Sequence, residues 1–245
     1  MRHGHAVVSG PLPPAAILAG GLATRLGGLV ADTPKALLEV AGRPFVFHQL
    51  DWLRRGGVRE VVLCVGHLGR QIEQAVGDGS PTGVSVRYSD DGAALAGTGG
   101  ALRRALPLLG AEFFVLYGDS WLSCSLPDVC QAYRASGKLG LMTIFRNDGQ
   151  WDTSNVRFAD DRMLGYDKRH RTADMHHIDY GLGVLSAQAF AGVPDGTHVD
   201  LATIYQDLLQ RDELAGFEVS ERFYEIGSPA GLDETRRHFE GRAVG

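Results

Sequence analysis

Short apolar runs alternate with amphipathic stretches from Ala15 to Phe145, and this alternation limits the chain more than any other feature. The runs Ala15–Ala19, Glu60–Val65, Ser85–Ser89, Phe113–Tyr117 and Leu139–Phe145 read as strands. Between them Phe45–Arg55, Leu68–Val76, Gly100–Leu109 and Pro127–Ser136 read as helices, each ended by glycine or a turn signal. Strands joined through helices run parallel and must be covered on both faces, so the pattern predicts a doubly wound α/β fold.

The texture changes after Asn147. Ser154–Phe158 and Met163–Tyr166 are two short strands around Ala159-Asp160-Asp161, which is a hairpin signal and predicts antiparallel or edge strands. Leu201, Ile204, Tyr205, Leu208 and Leu209 recur at helical spacing. Phe217–Ser220 and Phe223–Ile226 follow as strands, and Ser228-Pro229 opens a last helix with a cap and a proline at its first position. With no repeat and no linker, residues 15–245 read as one domain with a small β-rich add-on in the second half. Residues 1–14, broken by Gly10, Pro11, Pro13 and Pro14, read as a flexible extension and not a signal peptide.

Composition excludes several classes. A formal charge of -5 leaves no basic footprint, so no nucleic-acid partner is expected. No apolar run is long enough to span a membrane. The 3 cysteines, Cys64, Cys124 and Cys130, form no C-x-x-C pair, which argues for small core residues in a reducing, cytoplasmic setting. His170, His176 and His177 form no metal site, because neighbours on a strand point to opposite faces.

The stretch Leu18-Ala19-Gly20-Gly21, where the first strand runs into its loop, carries the chemistry. At the carboxyl edge of a parallel sheet, bare backbone amides approach a phosphate without a Cβ in the way. The spacing fits neither a Walker A loop nor a dinucleotide fingerprint. Thr24-Arg25 and then Pro34-Lys35 add a guanidinium fork and a mobile ammonium, so the segment reads as a polyphosphate cradle.

Leu18–Leu26 together with Pro34-Lys35-Ala36-Leu37 resembles the signature of the sugar-1-phosphate nucleotidyltransferases. The likeness runs from Ala15 to Phe239 through Gly97-Thr98-Gly99-Gly100, Tyr117-Gly118-Asp119-Ser120, Tyr166-Asp167-Lys168, Ile178-Asp179-Tyr180-Gly181 and Tyr224-Glu225-Ile226-Gly227. It is nearest in look to the D-glycero-D-manno-heptose 1-phosphate guanylyltransferases. The resemblance implies a Rossmann-like three-layer αβα sandwich with a mostly parallel sheet. It also implies Mg²⁺-dependent transfer of a nucleoside monophosphate from an NTP to a sugar 1-phosphate, with pyrophosphate released. GTP and a heptose or mannose 1-phosphate are the favoured pair, serving glycan or lipopolysaccharide precursors.

By the same resemblance Arg25, Lys35 and Lys168 are catalytic cations. Leu18, Ala19, Gly20, Gly21, Thr24, Gly97, Thr98, Gly99 and Gly118 take the nucleotide, and Asn155, Asp179, Tyr180 and Gly181 face the sugar. Asp119 and Glu225 hold the metal, although Glu225 stands where the family usually has Asp. Two other classes stay open: a non-catalytic nucleotide-sugar sensor, and a transferase for a non-sugar phosphate such as phosphocholine. Whether the chain is a monomer or a homo-oligomer is also open.

Overall fold

The structure is a computed structural model that describes residues 10–21, 32–92 and 96–243. In chain order the elements are β1 (Ala15–Leu18), β2 (Glu39–Val40), β3 (Arg43–Pro44), α1 (Phe45–Arg55), β4 (Glu60–Val65), α2 (Gly69–Val76), β5 (Ser85–Asp90), α3 (Gly97–Leu109), β6 (Glu112–Tyr117), β7 (Ser120–Trp121) and α4 (Leu126–Ser136). The second half adds β8 (Gly140–Arg146), β9 (Val156–Ala159), β10 (Arg162–Tyr166), β11 (His177–Ser186), α5 (Leu201–Gln210), β12 (Leu214–Val219), β13 (Tyr224–Glu225) and α6 (Pro229–Ala243).

The strands β5, β4, β1 and β6 form a parallel core, in that order. Within this main sheet antiparallel pairing enters only in the second half, where β11 lies between β6 and β8, and β12 closes that edge parallel to β8. The hairpin β9–β10 joins β11 at His177↔Val156. Both of its turn residues, Asp160 (φ 51°) and Asp161 (φ 56°), are left-handed, as the tight turn between twisted strands requires. Two short pairs, β2–β3 and β7–β13, sit off the main sheet.

Side-chain alternation sorts the strands between two cores. Ile17, Leu63, Phe114 and Leu116 pack with Leu50 of α1, Ile72 of α2 and Val129 of α4. On the other face Ala16, Val62, Phe113 and Val115 pack with Leu102 of α3 and with Leu201, Ile204 and Leu208 of α5. Helices therefore cover both faces, and the three-layer α/β class expected from the sequence holds. Each of these Leu or Ile side chains contributes about 1.5–3 kcal/mol by leaving water. Among the described residues no helix is long and apolar enough to cross a membrane.

Two boundaries differ from expectation. Of the stretch read as a loose extension, residues 12–14 lie against the domain: Leu12 packs on the core and the Pro14 carbonyl accepts from the Phe114 amide at 2.9 Å, while exposed Pro11 accepts from Arg134. Helix α3 begins at Gly97, three residues before the predicted start, so the glycine cluster is its first turn. The amides of Gly99 and Gly100 both donate to the Val199 carbonyl, at 2.9 and 3.1 Å. A Cβ at Gly100 would stand 2.6 Å from the Thr197 carbonyl oxygen. The glycines are there because the 197–200 segment lies against the helix, a cause local sequence does not display.

Candidate active site

The parallel core points the carboxyl ends of β1, β4, β5 and β6 to one edge, where such sheets take ligands. There the described residues line a cavity of about 270 Å³. Its floor is the backbone of Leu18, Ala19, Gly20 and Gly21 beside Gly118, with Gly97 and Thr98 on one wall. Gly118 has no room for a side chain, since a Cβ would lie 2.5 Å from the Leu18 carbonyl oxygen. Thr24 and Arg25 lie outside the described residues.

Lys35 and Asp119 meet at this cavity. A single turn of 3-10 helix at Lys35–Leu37 presents the ammonium, which stands 3.4 Å from the Asp119 carboxylate; the side chains are 14% and 28% exposed. Asp119 follows β6, so the sheet carries it to the edge. The turn bearing it is held from behind by Gln49 of α1, 1% exposed, whose amide donates to the carbonyls of Tyr117 at 3.0 Å and Ser120 at 2.8 Å.

Asp91, just past β5, also lines the cavity. It is 6% exposed, and its Oδ1 is buried without a protein hydrogen-bond partner. Burial pushes the carboxyl pKa up, partly offset by Arg104 and the Ala96 amide. Cys64 lies beside it at the end of β4, its thiol pushed up to about 12 by burial and by Asp91.

A second Lys–Asp pair lies on the other side of β6. Lys168 Nζ is 3.3 Å from the Asp179 carboxylate and donates to the Tyr117 hydroxyl at 3.2 Å. The Asp179 side chain is 5% exposed and accepts from the Tyr166 hydroxyl at 3.2 Å and the Gly181 amide at 3.1 Å. Burial and the adjacent Asp179 carboxylate hold the Tyr117 and Tyr166 phenols well above their ordinary pKa.

A model described as the MobA-like NTP transferase domain matches residues 15–174, which contain the cavity strands and both lysines. The chain belongs to the MobA-like NTP transferase family. Relatives include the N-acetylmuramate alpha-1-phosphate uridylyltransferase of Neisseria meningitidis serogroup B, 29% identical over 229 residues, which cover 91% of this chain and 96% of that protein. The D-glycero-alpha-D-manno-heptose 1-phosphate guanylyltransferase of Campylobacter jejuni is 34% identical over 112 residues, 46% of this chain and 50% of that protein. HddC from Yersinia pseudotuberculosis, solved with GMP-PN, superposes with a TM-score of 0.78 at 22% identity, covering 93% of this chain and 100% of that one. At that identity the superposition establishes the fold.

Within this NTP transferase several predicted site residues sit elsewhere than expected. Tyr180 faces away from Asp179, into the core on the opposite side of the sheet, where its hydroxyl accepts from the Ser123 amide at 3.2 Å. Asn155 is 6% exposed, and its Oδ1 accepts from the Asp179 amide at 3.0 Å, so it braces the site from below. The Asp179 carboxylate is turned to Lys168 and two tyrosines instead of outward. Gly181, at the irregularity in β11, stands beside Ser120 and Tyr117. The Thr98 hydroxyl is engaged by the start of α5, donating to Asp200 at 2.7 Å and accepting from the Leu201 amide at 2.8 Å.

Glu225 is the largest departure. Its strand pairs with β7 next to Asp119, and the Ile226 amide donates to the Asp119 carbonyl at 2.9 Å. The longer Glu side chain, however, reaches the Gly227 amide and the Ser228 hydroxyl and covers Gly231 at the start of α6. It braces a helix start and leaves Asp119 as the cavity carboxylate beside Lys35. Among the described residues no group of three or more His, Cys, Asp or Glu side chains is spaced to hold a metal. One carboxylate fits Mg²⁺ that arrives with phosphate oxygens and water as its remaining ligands.

Sequence reasoning passed over Gln49, Asp91, Tyr117 and His198, the last of which lines the cavity beside Thr98. Asp91 carried a legible signal, an acidic residue at the end of a predicted parallel strand.

Proposed function

We propose that this chain transfers a nucleoside monophosphate from an NTP to a sugar 1-phosphate. An oxygen of the acceptor phosphate attacks the α-phosphorus, the bond from that phosphorus to the bridging oxygen breaks, and pyrophosphate leaves. No protein nucleophile is required; what the reaction needs is two repelling anions held in line with their charge compensated. The observation that carries the reading is a cation on each side of one strand end: Lys35 at Asp119 and Lys168 at Tyr117. Lys35 and the Gly20-Gly21 backbone serve the triphosphate, and Lys168 serves the acceptor phosphate. Asp119 would hold Mg²⁺, which supplies charge neutralisation on the phosphates when bound.

GTP is the favoured donor because Asp91, when ionised, offers only acceptors. An ionised carboxylate matches the adjacent N1–H and N2–H₂ donors of guanine and meets just one donor on uracil. The near full-length match to a uridylyltransferase supports UTP as the second reading. For the acceptor, heptose or mannose 1-phosphate is favoured, in a cytoplasmic route to glycan or lipopolysaccharide precursors. Pyrophosphate release should appear over a grid of nucleoside triphosphates and sugar 1-phosphates with Mg²⁺, and vanish in Asp119→Asn. No release in any pairing would overturn the reading.

A further inference from the structure

The apolar stripe of α5, Leu201, Ile204, Tyr205 and Leu208, is buried against the sheet and α3, and this seats the helix firmly. At its start the N-cap Asp200 accepts from the Ala202 amide and from the Thr98 hydroxyl, whose oxygen in turn accepts from the Leu201 amide. Just before it the Val199 carbonyl takes the amides of Gly99 and Gly100, and the Val199 amide donates to the Ala96 carbonyl at 2.9 Å. The lead into α5 is therefore latched along the cavity wall, and it carries His198 there.

Farther along, the same helix holds the other half of the site. Strand β10 is the outermost of the sheet, and the carbonyl of its last residue, Tyr166, accepts from the half-buried Gln206 amide at 3.2 Å. Neighbouring Tyr205 meets the Tyr166 ring edge-on, with centroids 6.1 Å apart. Its own hydroxyl lies against Gly183 of β11, where a Cβ would not fit. The Lys168 ammonium stands 5.8 Å from the centroid of that Tyr166 ring and 5.0 Å from that of Tyr117. Between the two, Asp167 closes the turn: its amide donates to the Asn155 carbonyl at 3.0 Å, and its carboxylate accepts from the amides of Arg169 and His170 at 2.7 and 2.9 Å. Gln206 thus fixes the backbone, and Tyr205 the ring, beside which Lys168 stands.

In-line transfer needs its reacting atoms within about 3–3.5 Å of each other, so the two half-sites must be set to one another closely. The wall at Thr98 and the ammonium of Lys168 come from different segments, and α5 is bonded to both. We infer that α5 is a strut that sets the Lys168 ammonium relative to the nucleotide wall. Gln206 is the positioning residue at the acceptor end, acting through Tyr166, and Asp200 is its counterpart at the nucleotide end, acting through Thr98. The inference rests on the reading above in which Lys168 takes the acceptor phosphate.

The test is steady-state kinetics of variants at both ends with the sugar 1-phosphate that the wild type uses best, each checked for fold by circular dichroism and thermal unfolding. In Gln206→Met, which keeps length and loses the donor, KM for the sugar phosphate should rise about three- to tenfold, the scale of one hydrogen bond, with KM for the NTP unmoved. Gln206→Glu, which turns a carboxylate on the Tyr166 carbonyl, should lose at least as much. Asp200→Ala should do the reverse, raising KM for the NTP alone, and Asp200→Asn, which keeps a capping oxygen, should restore it. An active enzyme whose acceptor KM is unchanged in both Gln206 variants would overturn the strut. So would the two KM values rising together, the mark of a merely structural helix. A wild type that turns over no sugar 1-phosphate would overturn the parent reading and this one with it.

Discussion

Gln49 donates a hydrogen bond to the Ser120 carbonyl at 2.8 Å, and the same amide nitrogen reaches the Tyr117 carbonyl at 3.0 Å. One buried side chain therefore clamps both ends of the turn that presents Asp119. Gln49→Leu removes the donor and strands two carbonyls, a change of about 1–3 kcal/mol in stability. Because small displacements of reacting groups are expensive, kcat should fall about ten- to hundredfold well below the melting temperature. Thermal unfolding and steady-state rates measured together check this; a destabilised variant with wild-type kcat would contradict it.

Asp91 sets function against stability. An acid whose pKa is raised by burial takes up protons on folding, so its contribution makes the protein less stable as pH rises through the carboxylate range. Asp91→Asn should be more stable than wild type at neutral pH, with the difference shrinking in acid below the unfolded carboxyl pKa. The same change should raise KM for GTP by about tenfold or more and weaken discrimination against UTP, a bidentate base contact being worth about 1–3 kcal/mol. Melting temperature against pH and a two-nucleotide KM comparison test both halves.

All three cysteines are held up by burial, Cys64 and Cys124 to about 12. At mildly alkaline pH the thiolate fraction of such groups is on the order of 1 in 10⁴. Mass spectrometry should find the native protein unmodified by iodoacetamide and three carbamidomethyl groups after denaturation. Cys64→Ser should keep pyrophosphate release within about twofold, since Cys64 borders the cavity without acting in it; rapid native labelling of Cys64 would contradict this.

Asp179 holds Lys168 at 3.3 Å from a nearly buried position. Asp179→Asn leaves the shape but not the charge, so Lys168 is freed and KM for the acceptor should rise about three- to thirtyfold. The Tyr117 and Tyr166 phenols stay protonated because burial and Asp179 raise them. The rate profile of the wild type should then lack an alkaline limb from tyrosine up to about pH 10. An acceptor KM indifferent to Asp179→Asn would remove the positioning role.

Much of the fold was legible because local signals agree with it. The apolar runs at β1, β4, β5 and β6 and the glycine-ended helices between them report the parallel core directly. The glycine cluster at the start of α3 misled, because its cause is the distant 197–200 segment. Lys35, Asp119, Lys168 and Asp179 were named from the sequence, but the pairs they form, Lys35 with Asp119 and Lys168 with Asp179, were not. Tyr180 and Asp179 are neighbours that alternation sends to opposite faces, and Glu225 was read by position while its extra methylene takes the carboxylate to the α6 turn. Gln49 was invisible, since a helix glutamine in sequence does not say that it is buried against a strand end.

The central claim is nucleotidyl transfer, and the fate of the α-phosphate tests it most directly. GTP labelled at the α-phosphorus would be incubated with the protein, Mg²⁺ and a heptose or mannose 1-phosphate, and the products separated. The account predicts the label in a nucleotide sugar and an equal amount of unlabelled pyrophosphate, with neither formed by Asp119→Asn. Label remaining in GTP, or released as free GMP with the sugar phosphate unchanged, would contradict it.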